Sequence, residues 1–106
     1  MAREKFQTLT EQMFYILLCL GRERCGADVM AQVSAMTQGR VKVGPGTLYN
    51  LLEQFLQAGY IRETKVEGRK RSYVITPAGQ EALEAEVRRL RTLTADYETY
   101  AKEGDA

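Results

Sequence analysis

The apolar positions of this chain come in clusters separated by glycine-rich and charged breaks, and the spacing inside the clusters differs. From Met13 to Leu20 nearly every residue is apolar. Met13, Ile16, Leu17 and Leu20 share one face at helical spacing, and Phe14 and Leu18 carry the apolar surface round to the other side. A helix of that kind needs cover on two sides. In so small a chain a partner subunit is the expected source of the second cover. Thr8-Leu9-Thr10-Glu11 has the form of a capping box, which starts the helix near Thr8 or Thr10. Gly21 ends it, and Gly26 marks a turn. Asp28 favours the start of a second helix, with Val29, Met30, Val33 and Met36 as its apolar stripe and Gly39 as its stop.

After the loop Arg40–Gly44, Pro45 suits the first turn of a third helix. Leu48, Leu51, Leu52, Phe55 and Leu56 form its apolar face. Thr47, Asn50, Gln54 and Gln57 point the other way, with Tyr49 and Glu53 on a shoulder. Gly59 is the expected left-handed stop, and Tyr60 can fold back on Phe55. Two β-prone runs, Ile61–Val66 and Arg69–Ile75, flank Glu67-Gly68 and predict a hairpin. Thr76-Pro77 is a helix start. The last helix runs to about Tyr100 and carries a heptad-like seam through Leu83, Val87, Leu90, Thr94, Tyr97 and Ala101. Lys102 to Ala106 is a polar tail, expected to fray.

This order predicts a mainly α fold with a two-stranded β-hairpin: a winged helix-turn-helix over residues 1–76, then a long dimerisation helix and tail over 77–106. No internal repeat or low-complexity segment is visible.

Composition narrows the function. The chain has 106 residues, one domain by size, with 44% hydrophobic and 27% charged residues. Its net charge of +1 is unevenly spread. Residues 1–79 hold 11 Lys/Arg against 7 Asp/Glu, and residues 80–106 hold 4 against 7. A basic body with an acidic tail points weakly to a polyanionic partner. The apolar run at Met13–Leu20 is too short to span a bilayer. Met1–Lys5 is followed by no signal-type core, so a cytoplasmic protein is expected, with no membrane partner. Cys19 lies in the apolar run as a small core residue, and Cys19 and Cys25 are expected to stay free thiols. The chain has no histidine, which removes the commonest general base and metal ligand. No cysteine or acidic cluster has metal spacing. The Gly-Lys-Ser/Thr ending of a phosphate loop is missing after Gly39, Gly44 and Gly46. Neither an enzyme, a metal site nor a cofactor is expected.

At Gly44-Pro45-Gly46-Thr47-Leu48-Tyr49 the chain resembles the PadR family, named for repressors of phenolic acid decarboxylase genes. The exit Gln57-Ala58-Gly59-Tyr60-Ile61 and the run Arg69-Lys70-Arg71-Ser72-Tyr73-Val74-Ile75-Thr76-Pro77-Ala78-Gly79 are similar to that family's helix exit and wing end. Leu9-Thr10 and Tyr15-Ile16-Leu17-Leu18 are similar to its first helix. The resemblance covers roughly residues 9–93. Ala27 stands where the family usually has Tyr, and Cys25 where His or another polar residue is common. The single C-terminal helix is similar to the family's shorter branch. The resemblance implies a dimer in which the last and first helices cross between subunits, through Phe14, Leu18, Leu83, Val87, Leu90, Thr94 and Tyr97. It also implies a repressor of transcription. The chain has no tryptophan, so a tryptophan-lined drug pocket, known in some relatives, is not expected. A small-molecule effector is compatible with this class, and the sequence identifies none.

Double-stranded DNA is the partner the residues favour. Asn50 can reach a base edge in the major groove. Thr47 and Tyr49 can bond phosphates, and Gln54 follows on the same face. Arg69, Lys70 and Arg71, with Arg62 and Lys65 opposite, give the hairpin an excess of positive charge suited to phosphates or a minor groove. Arg40 and Lys42 are lesser candidates for backbone contact, and Glu53 opposes DNA. Blander readings stand beside these. The third helix can present an ordinary solvated face with Tyr49 half-buried, the hairpin cations can protect a sheet edge, and the last helix can be intramolecular. The expected function is a sequence-specific repressor, a homodimer on a pseudo-palindromic operator. The alternative is a winged-helix interaction or ligand-sensing module that binds no operator, and the basic hairpin argues against it.

Overall fold

The computed structural model describes residues 8–102; Met1–Lys5 and, of the expected polar tail, all but Lys102 lie outside them. The elements in chain order are α1 (Glu11–Cys19), β1 (Arg24–Cys25), α2 (Gly26–Met36), α3 (Pro45–Ala58), β2 (Ile61–Glu67), β3 (Lys70–Ile75) and α4 (Pro77–Lys102).

Three short helices enclose the core. Ile16, Leu17 and Leu20 at the end of α1, Val29 and Val33 of α2, and Leu48, Leu52 and Phe55 of α3 are fully buried. Each such side chain contributes about 1.5–3 kcal/mol by leaving water. Of the two starts the sequence allowed, Thr8 and Thr10, α1 uses the later, two residues on. Thr10 is the N-cap: its hydroxyl accepts the Met13 N–H at 3.2 Å, and the Met13 sulfur accepts the Thr10 N–H at 3.4 Å. Burial of Leu9 draws the chain ahead of the helix into the core and leaves Thr10, not Thr8, facing the first turn.

The α2–α3 connection is packed down. Val41 and Val43 are buried, and the Thr37 hydroxyl accepts the Val41 N–H at 3.1 Å while lying 2.8 Å from the Val33 carbonyl. α2 ends at Met36, and the reversal passes through Gln38 and Gly39, both at positive φ. α3 ends at Gly59, whose φ of 80° is the left-handed conformation that glycine adopts without strain. Tyr60 stacks on Phe55 with ring centroids 6.3 Å apart.

The sheet has three strands, not the two expected. Its order is β1-β3-β2, all antiparallel. β1 pairs Arg24 with Tyr73 and Cys25 with Ser72. A two-residue strand carries no alternation to read, and it forms because β3 offers a second edge. Arg24 Nε donates to the Cys19 carbonyl at 2.9 Å, which anchors the segment to α1. A bulge between Glu63 and Lys65 lies in β2, and the tight turn is at Gly68-Arg69.

α4 starts from a fixed point. The Thr76 hydroxyl accepts the Gly79 N–H at 3.2 Å and donates to the Gly59 carbonyl at 2.6 Å. The Thr76 N–H donates to the Tyr60 carbonyl at 2.9 Å. A Cβ on Gly79 would stand 2.2 Å from that same carbonyl oxygen, so only glycine lets the helix approach so closely. Ala82 and Leu83 pack against the core. Leu83 of the seam therefore has packing partners inside its own subunit. Beyond it, Leu90, Leu93, Tyr97 and Tyr100 are exposed.

Cys19 and Cys25 are free and buried, and burial pushes the Cys19 thiol up, keeping it protonated. Among the described residues no helix is long and apolar enough to cross a membrane, and no group of His, Cys, Asp or Glu is placed to hold a metal ion.

Candidate nucleic-acid interface

The first turn of α3 is open to solvent. Gly44 is its N-cap, Pro45 follows, and no side chain caps the turn. Gly46 and Thr47 thus keep backbone N–H groups directed out of the helix, at its positive end. Thr47 and Asn50 are exposed, whereas Leu48 and Leu51 on the opposite face are buried. Gln54, one turn on, is half-buried.

Tyr49 links this turn to the sheet. Its side chain is 50% exposed and lies over Gly26, where an added Cβ would meet the ring at 2.8 Å. The half-buried reading of Tyr49 thus holds: the ring packs on Gly26 and half of it stays open to solvent. Tyr49 lines a cleft of about 470 Å³ together with Cys25, Gly26, Ala27, Arg69, Lys70, Arg71 and Tyr73. The cleft therefore joins the start of α2, the first turns of α3 and the wing. Burial pushes the Tyr73 phenol up, so it faces the cleft as a neutral hydroxyl.

The wing cations differ in freedom. Arg71 pairs across the strands with Glu63 at 3.2 Å. Arg69 and Lys70 sit at the turn and are exposed. The bulge in β2 occurs opposite Ser72 and Tyr73, where the hairpin leaves the body.

The remaining sequence candidates lie elsewhere. Arg40 is ion-paired with Glu11, donates to the Tyr15 hydroxyl at 2.9 Å, and stands 5.7 Å from the centre of the Tyr15 ring. Its charge is engaged in tying the α2–α3 loop to α1. Lys42 is exposed, and its carbonyl accepts from Gln12 Nε2 at 3.2 Å. The wall made by Cys25, Gly26 and Ala27 was missed in the sequence, which placed Gly26 in a turn. It is the first residue of α2, and a glycine next to a helix start carries no signal of the aromatic ring that will cover it.

A second group of candidates meets on the α1/α4 side. Phe14, Leu18, Leu83 and Val87 line one open groove of about 720 Å³, rimmed by Gln80, Glu84, Arg88 and Arg91. Val87, Leu90 and Thr94 continue into a shallow recess of about 290 Å³ along α4. Tyr97 lies past it and is 71% exposed.

Residues 16–85, about two thirds of the chain, match the model of the transcriptional regulator PadR-like family. A protein of a Streptomyces fradiae transposon, itself described as an uncharacterized 37.1 kDa protein, is 36% identical over 53 residues. That segment is 50% of this chain and only 15% of the relative's length. Among solved structures, H. salinarum RosR superposes with a TM-score of 0.65 at 22% identity, covering 86% of this chain and 94% of that one. A transcriptional regulator from Clostridium thermocellum gives a TM-score of 0.71 at 17% identity, with 85% and 91% covered. At such identities the superpositions speak for the winged-helix fold, and the family match for the class. This chain is a member of the PadR-like family of transcriptional regulators, and its fold is a winged helix.

Proposed function

We propose that the chain is a sequence-specific repressor that binds a pseudo-palindromic operator as a homodimer in the cytoplasm. Residues 1–76 serve as the DNA-binding unit and residues 77–106 as the dimerisation arm. The observation that carries this reading is the shared cleft: Tyr49 of α3 and Arg69, Lys70 and Arg71 of the wing line one opening beside the uncapped start of α3.

In this reading α3 enters the major groove by its first turns. Asn50 reads a base edge, for which an amide is suited to pair with adenine. Thr47, Tyr49 and the Gly46 and Thr47 N–H groups bond phosphates and set the register. Arg69 and Lys70 lie along the adjoining backbone, with Arg71 oriented by Glu63. Gln54 and Lys42 make outlying contacts, and Arg40 acts through the loop it holds. The groove of Phe14, Leu18, Leu83 and Val87 takes the corresponding surface of a second copy, since that face is apolar and continuous with the exposed seam of α4. A small-molecule effector that releases the operator belongs to the same reading.

Selection of bound duplexes from a random pool tests it. The expected product is a pseudo-palindrome with half-site centres about one DNA turn apart, roughly 34–36 Å, or a multiple of that. A pool that shows no enrichment would favour an interaction module without an operator.

A further inference from the structure

Glu86 is the one charged side chain that is buried among the described residues, at 5% exposure. It lies on α4 and is satisfied from two sides. Its Oε1 accepts the backbone N–H of Leu9 at 3.1 Å, and its carboxylate is ion-paired with Arg89 one turn on. Leu9 immediately precedes Thr10, the N-cap of α1. The carboxylate therefore sits at the positive end of α1, where a negative charge is favoured.

We propose that Glu86 is a positioning residue that fixes the direction in which α4 leaves the winged-helix body, and so sets the separation of the two recognition helices in the dimer. The inference rests on the homodimeric reading above. A buried ion pair is weak evidence for stability, because an apolar side chain of similar volume often serves as well or better. What it supplies is a directed contact. Among the described residues, the hydrogen bonds that tie α4 to the body apart from Glu86 lie at its start, at Thr76 on Gly59 and Tyr60; Gly79 abuts the Tyr60 carbonyl, and Ala82 and Leu83 rest on the core. The start works as a pivot. Glu86, seven residues beyond Gly79 and two helical turns away, is a second fixed point on a different element. Two points define an axis.

Beyond Glu86 the helix runs on to Lys102, a lever of about 24 Å at 1.5 Å per residue. A tilt of about 10° at the clasp moves its far end by about 4 Å. Glu86 touches neither the cleft at Tyr49 nor the groove at Phe14 and Val87. Its loss should shift α4 against the body without removing a lining side chain from either surface.

The test titrates wild type, Glu86→Gln and Glu86→Ala against duplexes whose half-sites are moved apart one base pair at a time. Wild type favours one spacing. Glu86→Gln keeps a carbonyl acceptor for the Leu9 N–H and keeps that peak. Glu86→Ala lowers the ratio between the best and next-best spacing by about fivefold or more, while sedimentation still shows a dimer. An unchanged spacing profile in Glu86→Ala overturns the proposal. A wild type indifferent to spacing overturns the dimeric reading itself, and the proposal with it. Amide exchange of the free wild-type protein gives a readout that does not depend on how Glu86→Ala folds. The Leu9 amide is expected to exchange about tenfold or more slowly than an unbonded amide, and a Leu9 amide that exchanges freely overturns the clasp.

Discussion

Asn50 and Tyr49 are neighbours in sequence, but successive helix positions face different ways, so their surroundings differ and different tasks are proposed for them. Asn50 is exposed on the face opposite the buried Leu48 and Leu51, whereas Tyr49 leans on Gly26 and keeps its free side toward the wing. Asn50→Ala is expected to cost about 1–3 kcal/mol of discrimination at one base pair, with little effect elsewhere in the site. Tyr49→Phe removes a phosphate-bonding hydroxyl and is expected to lower affinity nearly evenly over all sequences. A base-substitution scan of the operator separates the two, and an identical profile for wild type and Asn50→Ala would remove Asn50 as a reader. For the wing, Arg69→Ala with Arg71→Ala is expected to flatten the dependence of log affinity on log salt by about 0.9 per lost phosphate contact. These residues were legible in the sequence as a polar helix face and a basic hairpin. The engagement of Arg40 with Glu11 and Tyr15 was not, because the partners are 29 and 25 residues away and nothing local marks them.

The elements themselves were read from periodicity, and the departures occur where periodicity has nothing to act on. The long helices carry stripes that fix their type, and Gly59 and Thr76-Pro77 mark ends that the structure places at those residues. The strand Arg24–Cys25 is too short to alternate, so its pairing with Tyr73 and Ser72 depends wholly on tertiary contact. The seating of α4 was equally hidden, since Gly79 reads as an indifferent glycine until Tyr60 is brought against it. Gly79→Ala is expected to destabilise the protein by about 1–3 kcal/mol, toward the upper end because the obstructing atom is backbone; urea unfolding measures it. Glu86 gives the same junction a pH dependence. The Arg89 hydrogen bond holds its carboxyl below the usual glutamate range, with a smaller contribution from the Leu9 N–H and with burial opposing. Arg88 and Glu81 of α4, and Thr8 and Tyr60 from the body, line a recess around Glu86, separate from the cleft at Tyr49. A lowered folded-state pKa stabilises above the unfolded value and ceases to do so as pH falls through the folded one. The stability difference between wild type and Glu86→Gln should therefore be greatest at neutral pH and shrink through and below the ordinary glutamate range, which denaturation at stepped pH will show.

At the scale of the whole molecule, the two candidate surfaces are built from different elements: the DNA cleft from α2, α3 and the wing, the apolar groove from α1 and α4. The groove was foreshadowed by a first helix apolar on two sides, of which one side is now filled by its own core and the other, at Leu18, is open. Leu18→Asp leaves that core untouched and puts a charge where a second copy is expected to pack. Sedimentation should shift toward the monomer, and operator affinity should fall with it. The central claim, that α3 and the wing form a sequence-reading DNA surface, is tested most directly by titrating wild type with its selected operator and with a scrambled duplex at several salt concentrations. Binding to the operator tighter by about a thousandfold or more at physiological salt, with both affinities falling as salt rises, is the result predicted. Equal affinity for the two duplexes, or binding to neither, would contradict it.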